Sequence, residues 1–344
     1  MKAELSMEEL PKISVIIPTR DRPALLERAI RSALQQTMRE IEVIVVRDGE
    51  DAGTKTIVES LEDARLRLIE LEIPVGGSEA RNVGARAAHG KYIALLDDDD
   101  EWLATKLERQ FAVAEKTTAV SLVVVTQYLY RIAGQYDELW PGHLPTAVEP
   151  LSEFLFSSRG GFQTSTYLCP RELMLSVPFT PGLKKHQDWD WFLRVAAEPG
   201  FELLIVDEPL SVYWAPEPNR TSVSTIRDWK FSRDWAKSRL HWMTKKAYAR
   251  FLVKICTRQA RQQHAGIKTF WELARELLLV GECSVLLFVE YLVAILLPET
   301  IRLWIRDLVS AIRSPRHRPY LRGKSFKEFK TNAQLEEGAN ACPR

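Results

Sequence analysis

Glycine and proline are sparse in this chain of 344 residues, at 16 and 18, which excludes collagen-like and Pro/Gly-rich low-complexity architectures. Cysteine is rarer still. Cys169, Cys256, Cys283 and Cys342 stand far apart and form no C-x-x-C pair, which argues against a disulfide framework or a zinc site and for a reducing compartment. No excess charge of one sign is present: the formal net charge is +1, so no global field points to nucleic acid, and electrostatic specialisation has to be local. The polar start MKAELSMEELPK contains no apolar core of the signal-peptide type, so a cytoplasmic location is expected. There is no Walker A motif, no G-x-G-x-x-G after the first apolar run, and no internal repeat. What is present is a globular composition, 46% hydrophobic and 27% charged. The length suits one large α/β domain with additions, or two domains.

Short apolar runs alternate with helical patterns. ISVII (13–17) and IEVIVV (41–46) read as buried strands, and the stretch near 66–71, KYIALL (91–96) and VSLVVVT (120–126) as further strands. A helix follows Asp21 and Pro23, with Leu25, Leu26, Ala29, Ile30, Ala33 and Leu34 at helical spacing. Further helices are predicted near 54–61, within GGSEARNVGARAAHG (76–90) after a glycine turn, and through Trp102, Leu107, Phe111 and Ala114. This alternation predicts a mostly parallel, Rossmann-like sheet flanked by helices. Such sheets bind ligands beyond the carboxyl ends of their strands. Thr19, Asp48 and the run Asp97–Asp100 all fall there, so they should meet on one rim.

The stretch 127–220 is broken by prolines. DWDWFLRVAAE (188–198) is its clearest helix, and 201–207 and 210–214 read as two strands. A helical region follows. Residues 273–297 approach the length of a membrane span, but they contain Glu276, Glu282 and Glu290, which are costly at a bilayer centre. Packing on the rest of the chain or on a second copy is the first expectation. Peripheral membrane contact through 273–324 is the second, because the tail from Arg302 to Lys324 is basic.

The most informative stretch is IALLDDDDEW (93–102). A charge run is ordinarily a solvated surface. This one follows an apolar strand without a spacer, contains no Lys or Arg, and sits where α/β sheets place their sites. A hard cation, Mg²⁺ or Mn²⁺, would remove the repulsion and complete its shell with the phosphates of a substrate.

The blocks ISVIIPTRDRPALLERAIRSALQQT, EVIVVRDGEDAGT, GGSEARNVGARAAHGKYIALLDDDDEW and HQDWDWFLRV, in this order over about 12–215, resemble those of the family 2 glycosyltransferases of bacterial type. The resemblance implies an inverting enzyme with the GT-A fold. It implies a catalytic domain over 1–220, with a nucleotide-sugar half about 12–126 and an acceptor half about 127–220, and a helical C-terminal region over 221–344. It places Pro18 and Thr19 beside the nucleotide base, Asp48 in hydrogen-bonding reach of that base, and Arg81 near the diphosphate. Asp97 would lie near the ribose and Asp98 would join the nucleotide-sugar group. Asp99 would bind the metal, with Asp100 as a second carboxylate, and Asp188 would be the catalytic base. The implied partners are a nucleoside-diphosphate sugar and a glycan or lipid-linked acceptor, without nucleic acid; a homo-oligomer stays open.

Two departures stand out. Arg47 replaces a usual carboxylate, either changing base preference or pairing with Asp48, and no histidine follows SVYW, where the chain reads APEPNRTS. Read alone, Asp188 is a helix cap; its block turns that reading toward a base, and Asp190 should point to another side of the helix. Trp189 and Trp191 would stack on a sugar or pack in the core, with core or rim packing expected for at least one. Lys184, Lys185 and His186 read as a solvated turn. Two competitors remain: a nucleotidyltransferase, which needs a basic Gly-rich segment where PTRDRPALL stands, and a non-catalytic sugar-nucleotide-binding protein, for which Asp188 is dispensable.

Overall fold

The computed structural model of the chain describes residues 10–131, 137–215, 227–297 and 301. Its first half follows the expected alternation: β1 (Ile13–Thr19), α1 (Pro23–Leu34), β2 (Ile41–Asp48), α2 (Ala52–Ser60), β3 (Leu66–Leu71), α3 (Gly77–Ala87) and β4 (Tyr92–Leu95). β1 pairs in parallel with β2 and β4, and β2 in parallel with β3. Ile16, Ile44 and Val46 face one hydrophobic cluster, while Ile17, Val43 and Val45 face the other. Both faces of the sheet are thus covered, which is why these strands read as unbroken apolar runs.

The second half is mixed. β5 (Glu101–Trp102), α4 (Lys106–Ala114), β6 (Leu122–Arg131), β7 (Asp137–Trp140), α5 (Leu151–Leu155), β8 (Leu168–Pro170), α6 (Arg171–Ser176), α7 (Gln187–Val195) and β9 (Glu202–Trp214) follow. The strand order is β3-β2-β1-β4-β8-β6-β9-β5, with β7 on β6. β8 runs antiparallel to both β4 and β6, and β6 and β9 are parallel. Two expectations change here. Trp102 is not helical: it lies in the short β5, pairing with Ser211 of β9. The two strands expected over 201–214 form the single β9, whose register shifts opposite Thr126 and Gln127, where Pro209 tolerates the lost ladder bond.

The helices α8 (Trp229–Ser238), α9 (Lys245–Phe251), α10 (Thr257–Gln262), α11 (Ile267–Leu279) and α12 (Val285–Leu296) complete the described chain. The apolar stretch 273–297 is broken into the end of α11 and α12. No helix among the described residues is long and apolar enough to cross a membrane. One hydrophobic cluster runs from Ile16 and Leu95 of the sheet through Trp191 to Trp235, Phe251, Leu273 and Leu287. The C-terminal helices therefore pack on the sheet's own core. Their outer side stays apolar, with Trp271 71% and Val285 83% exposed. The basic sequence from Arg302 to Lys324 lies outside the described residues.

Candidate active site

Parallel strands deliver their carboxyl ends to one rim, and a cleft of ≈ 1120 Å³ opens there. Pro18, Thr19, Asp48, Arg81, Asp97, Asp98, Asp99 and Asp188 all line it, with Gln187, Trp189 and Tyr213. Asp100 is buried at 1% exposure.

At the end of β2, Asp48 accepts from the backbone N–H of Val75 at 2.6 Å and of Gly76 at 2.9 Å. These bonds hold the turn that starts α3. Gly76 has φ +85°, a left-handed conformation open to glycine at little cost. Arg47 does not pair with Asp48. It reaches Glu70, its register partner on β3, at 2.9 Å.

The aspartate run is held from several sides. Thr19 Oγ1 donates to Asp98 Oδ2 at 2.8 Å, and Arg22 Nη1 donates to Asp98 and Asp99 at 3.2 Å each. Arg28 donates to the Asp99 carbonyl. Ser165, fully buried, donates from its hydroxyl to Asp100 Oδ2 at 2.6 Å and accepts from the Asp97 N–H at 3.0 Å. The Ser165 carbonyl in turn accepts from the Trp102 indole at 2.7 Å. Burial pushes the Asp98 carboxyl up to about 6, with Asp99 adding to it and Arg22 and Thr19 opposing. Burial, then the charges of Asp99 and Asp97, raises Asp100 well above the usual carboxylate range.

Asp97, Asp99 and Asp100 each bring one carboxylate oxygen to within 4.8 Å of the others. The Oδ1 of Asp100 is buried and has no hydrogen-bond partner among the described residues. An all-oxygen, acidic donor set with an orphaned buried oxygen fits a hard divalent cation.

Across the cleft, α7 begins at Gln187 and carries Asp188 one residue later. Asp188 is half-buried, and burial lifts its carboxyl to about 6; the backbone N–H of Trp189 opposes the rise and the charge of Asp97 adds to it. Asp190 faces elsewhere, as expected. It is fully buried and accepts from Thr180, Trp235, Arg239 and Arg194. Arg81 spans the two sides: Nη2 donates to Asp97 at 2.5 Å, and Nη1 donates to Gln187 Oε1 at 2.9 Å.

Trp191 is fully buried in the core, while Trp189 lines the cleft and stacks on His186 at 5.0 Å. Lys184 is exposed, but the solvated-turn reading fails for His186. It is 4% exposed, has φ 65°, and sits among Trp189, Trp235, Phe231 and Phe251. Ser232 donates its single hydroxyl proton to Gln259 at 2.9 Å, so His186 Nε2–H donates to the Ser232 oxygen, also at 2.9 Å. Burial holds this imidazole down at about 3.

Sequence reasoning missed Gln187, Ser165 and Asn82. Asn82 exchanges two hydrogen bonds with the backbone of Phe179, both 2.9 Å, tying α3 to the segment that leads to α7. Gln187 and Asn82 lie inside quoted blocks, and that neighbourhood was their only signal. Ser165 lies in patternless sequence. The histidine missing after SVYW belongs to a stretch, 216–222, outside the described residues.

Residues 14–166 match the sequence profile described as Glycosyl transferase family 2. The glycosyl transferase WcaA of Escherichia coli (strain K12) is 32% identical over 199 residues, 56% of this chain and 69% of its own. The UDP-Glc:alpha-D-GlcNAc-diphosphoundecaprenol beta-1,3-glucosyltransferase WfgD of Escherichia coli is 35% identical over 104 residues, 30% of this chain and 41% of its own. Among solved structures, S. aureus TarS in complex with UDP-GlcNAc superimposes with a TM-score of 0.56 at 17% identity, covering 88% of this chain and 87% of that one.

Proposed function

Because the chain belongs to glycosyl transferase family 2, we propose that it moves a sugar, with inversion, from a nucleoside diphosphate to a hydroxyl of a glycan or lipid-linked acceptor. The fold is the GT-A fold, and the chain is a glycosyltransferase. The acceptor class rests on the kind named for WfgD, a sugar on diphosphoundecaprenol. The observation that carries the mechanism is the Arg81 bridge, which joins Asp97 of the acidic cluster to Gln187, the neighbour of Asp188.

In this reading Asp188 takes the proton of the acceptor hydroxyl as its oxygen attacks the anomeric carbon. The bond from that carbon to the diphosphate breaks on the opposite face. Thr19, Asp48 and Asp97 bound the nucleoside side of the cleft, and Arg81 offers its charge to the leaving diphosphate. Asp99 and Asp100, with Asp97 beside them, would hold Mg²⁺ or Mn²⁺, which when bound neutralises charge on the diphosphate. Asp188→Asn should lower kcat by about 10²- to 10⁴-fold while donor affinity changes little; unchanged turnover would overturn the base assignment.

Residues 1–220 carry every proposed site residue, and the helices α8 to α12 follow them as a separate region of the proposal. A lipid-linked acceptor would make peripheral contact with the inner face of the cytoplasmic membrane useful. The exposed apolar side of α11 and α12 and the basic sequence that follows support that contact. Flotation with anionic vesicles tests it: a protein that stays at the bottom, as a monomer or as a self-associated oligomer, refutes membrane docking.

A further inference from the structure

Beside the cleft, a row of aromatic rings occupies one face of the sheet where β7, β6 and β9 meet. The strand registers put it there. Tyr128 pairs with Trp140 of β7, and Tyr130 pairs with Tyr213 of β9. Tyr128 and Tyr130 are two residues apart on β6, so all four side chains lie on the same face. The ring centroids are 6.4 Å apart for Tyr128–Trp140, 6.3 Å for Tyr128–Tyr213, 6.5 Å for Tyr130–Trp140 and 5.5 Å for Tyr130–Tyr213. Each residue is half-buried.

Cross-strand aromatic pairs stabilise sheets, and that accounts for the pairwise contacts. It does not account for the location. Among the described residues, none of the four belongs to either hydrophobic cluster. The row instead opens on the cleft, because Tyr213 forms part of the cleft wall. Burial pushes the Tyr128 phenol up, and the charges of Tyr213, Asp100 and Asp188 add to the shift.

We infer that this aromatic row is a saccharide-binding surface for the acceptor, holding pyranose rings beyond the one whose hydroxyl reaches Asp188. A pyranose presents apolar C–H faces and a rim of hydroxyls. Tyrosine and tryptophan present apolar rings with polar tips, which complement both. Glu138 on β7, which accepts from the Trp140 indole at 3.2 Å, adds an acceptor at the edge of the row. An aliphatic lipid chain is a poorer match for three phenols. The inference rests on the proposed function, because it takes the Asp188 side of the cleft to be the acceptor side.

Saturation-transfer NMR on the full chain tests it, with cellotetraose and chitotetraose as probes and nucleotide-sugar affinity measured in parallel. The wild-type protein is expected to transfer saturation to the ring protons of at least one tetrasaccharide. Trp140→Ala and Tyr130→Ala should each weaken that binding by about tenfold, and Trp140→Phe should retain most of it. Affinity for UDP- and GDP-sugars should stay within about twofold in all three variants, which also reports that they are folded. No transfer to either probe in the wild type, or equal binding in both alanine variants, overturns the inference. Failure of the wild type to bind any nucleotide sugar strikes the donor reading instead, and the saccharide result then stands by itself.

Discussion

Asp188 and Asp190 sit two residues apart on α7 and meet opposite surroundings. Hydrogen bonds from Thr180 and Arg239 outweigh the burial of Asp190 and hold its carboxyl below the usual range. That group is a structural anchor, ionised throughout the physiological range. Burial lifts Asp188 to about 6, nearer the working pH, where a general base is most effective. The sign follows directly: the base works only when ionised, so kcat/KM should fall as pH drops below about 6. A pH–rate profile that stays flat to about pH 5 contradicts the assignment. Ser165 is the second residue whose surroundings make a prediction. It orients Asp100 and fixes the backbone of Asp97, so it positions the proposed cation ligands without touching substrate. Outer partners of metal ligands are typically worth 10- to 100-fold in affinity. Ser165→Ala should therefore weaken Mn²⁺ binding by about that factor, read by electron paramagnetic resonance of free Mn²⁺; unchanged affinity removes Ser165 from this role.

At the scale of elements, α3 is the part whose position matters most, because it carries Arg81. It packs closely on β1: a Cβ on Gly84 would stand 2.6 Å from Ile16 Cγ2. Gly84→Ala should cost about 1–3 kcal/mol by overpacking, measured by urea unfolding; stability equal to the wild type would show that α3 can shift freely. The same close packing explains what was legible beforehand. Strands covered on both faces read as apolar runs, and helices covered on one side read as periodic, so the parallel half and its rim residues could be placed from pattern alone. The other half could not. β5 has two residues and β8 three, too few to show any period. Trp102 resembled the first apolar residue of a helix because its ladder partner, Ser211 of β9, lies far along the chain, as does the Ser165 carbonyl that takes its indole N–H, 63 residues away. Gln187 and Arg81 are 106 residues apart, and nothing local to either reports their contact. Of the two readings of Arg47, the pairing with Asp48 fails because its register partner Glu70, not its neighbour in sequence, decides its pairing.

For the whole molecule, acid acts both on paired surface carboxylates such as Glu40 and Glu115 and on buried groups, of which His186 is one. Its pKa in the native state is about 3, against an ordinary value of 6.5. The native protein thus binds fewer protons there than the unfolded chain. The stability it contributes is present above about pH 6.5 and is lost as pH falls toward 3. At about pH 5 this amounts to about 2 kcal/mol. A His186→Phe variant should therefore lose less stability between about pH 7 and pH 5 than the wild type; parallel losses in urea titrations at the two values refute this. The imidazole also has a mechanical meaning. It is the residue immediately before α7, and it is bolted through Ser232 to Gln259, inside the C-terminal helices. The foothold of Asp188 is therefore built from chain that comes after the proposed catalytic half. A fragment ending near residue 220 would retain every proposed site residue and lose the floor beneath one of them, so the trailing helices cannot be trimmed away as an accessory.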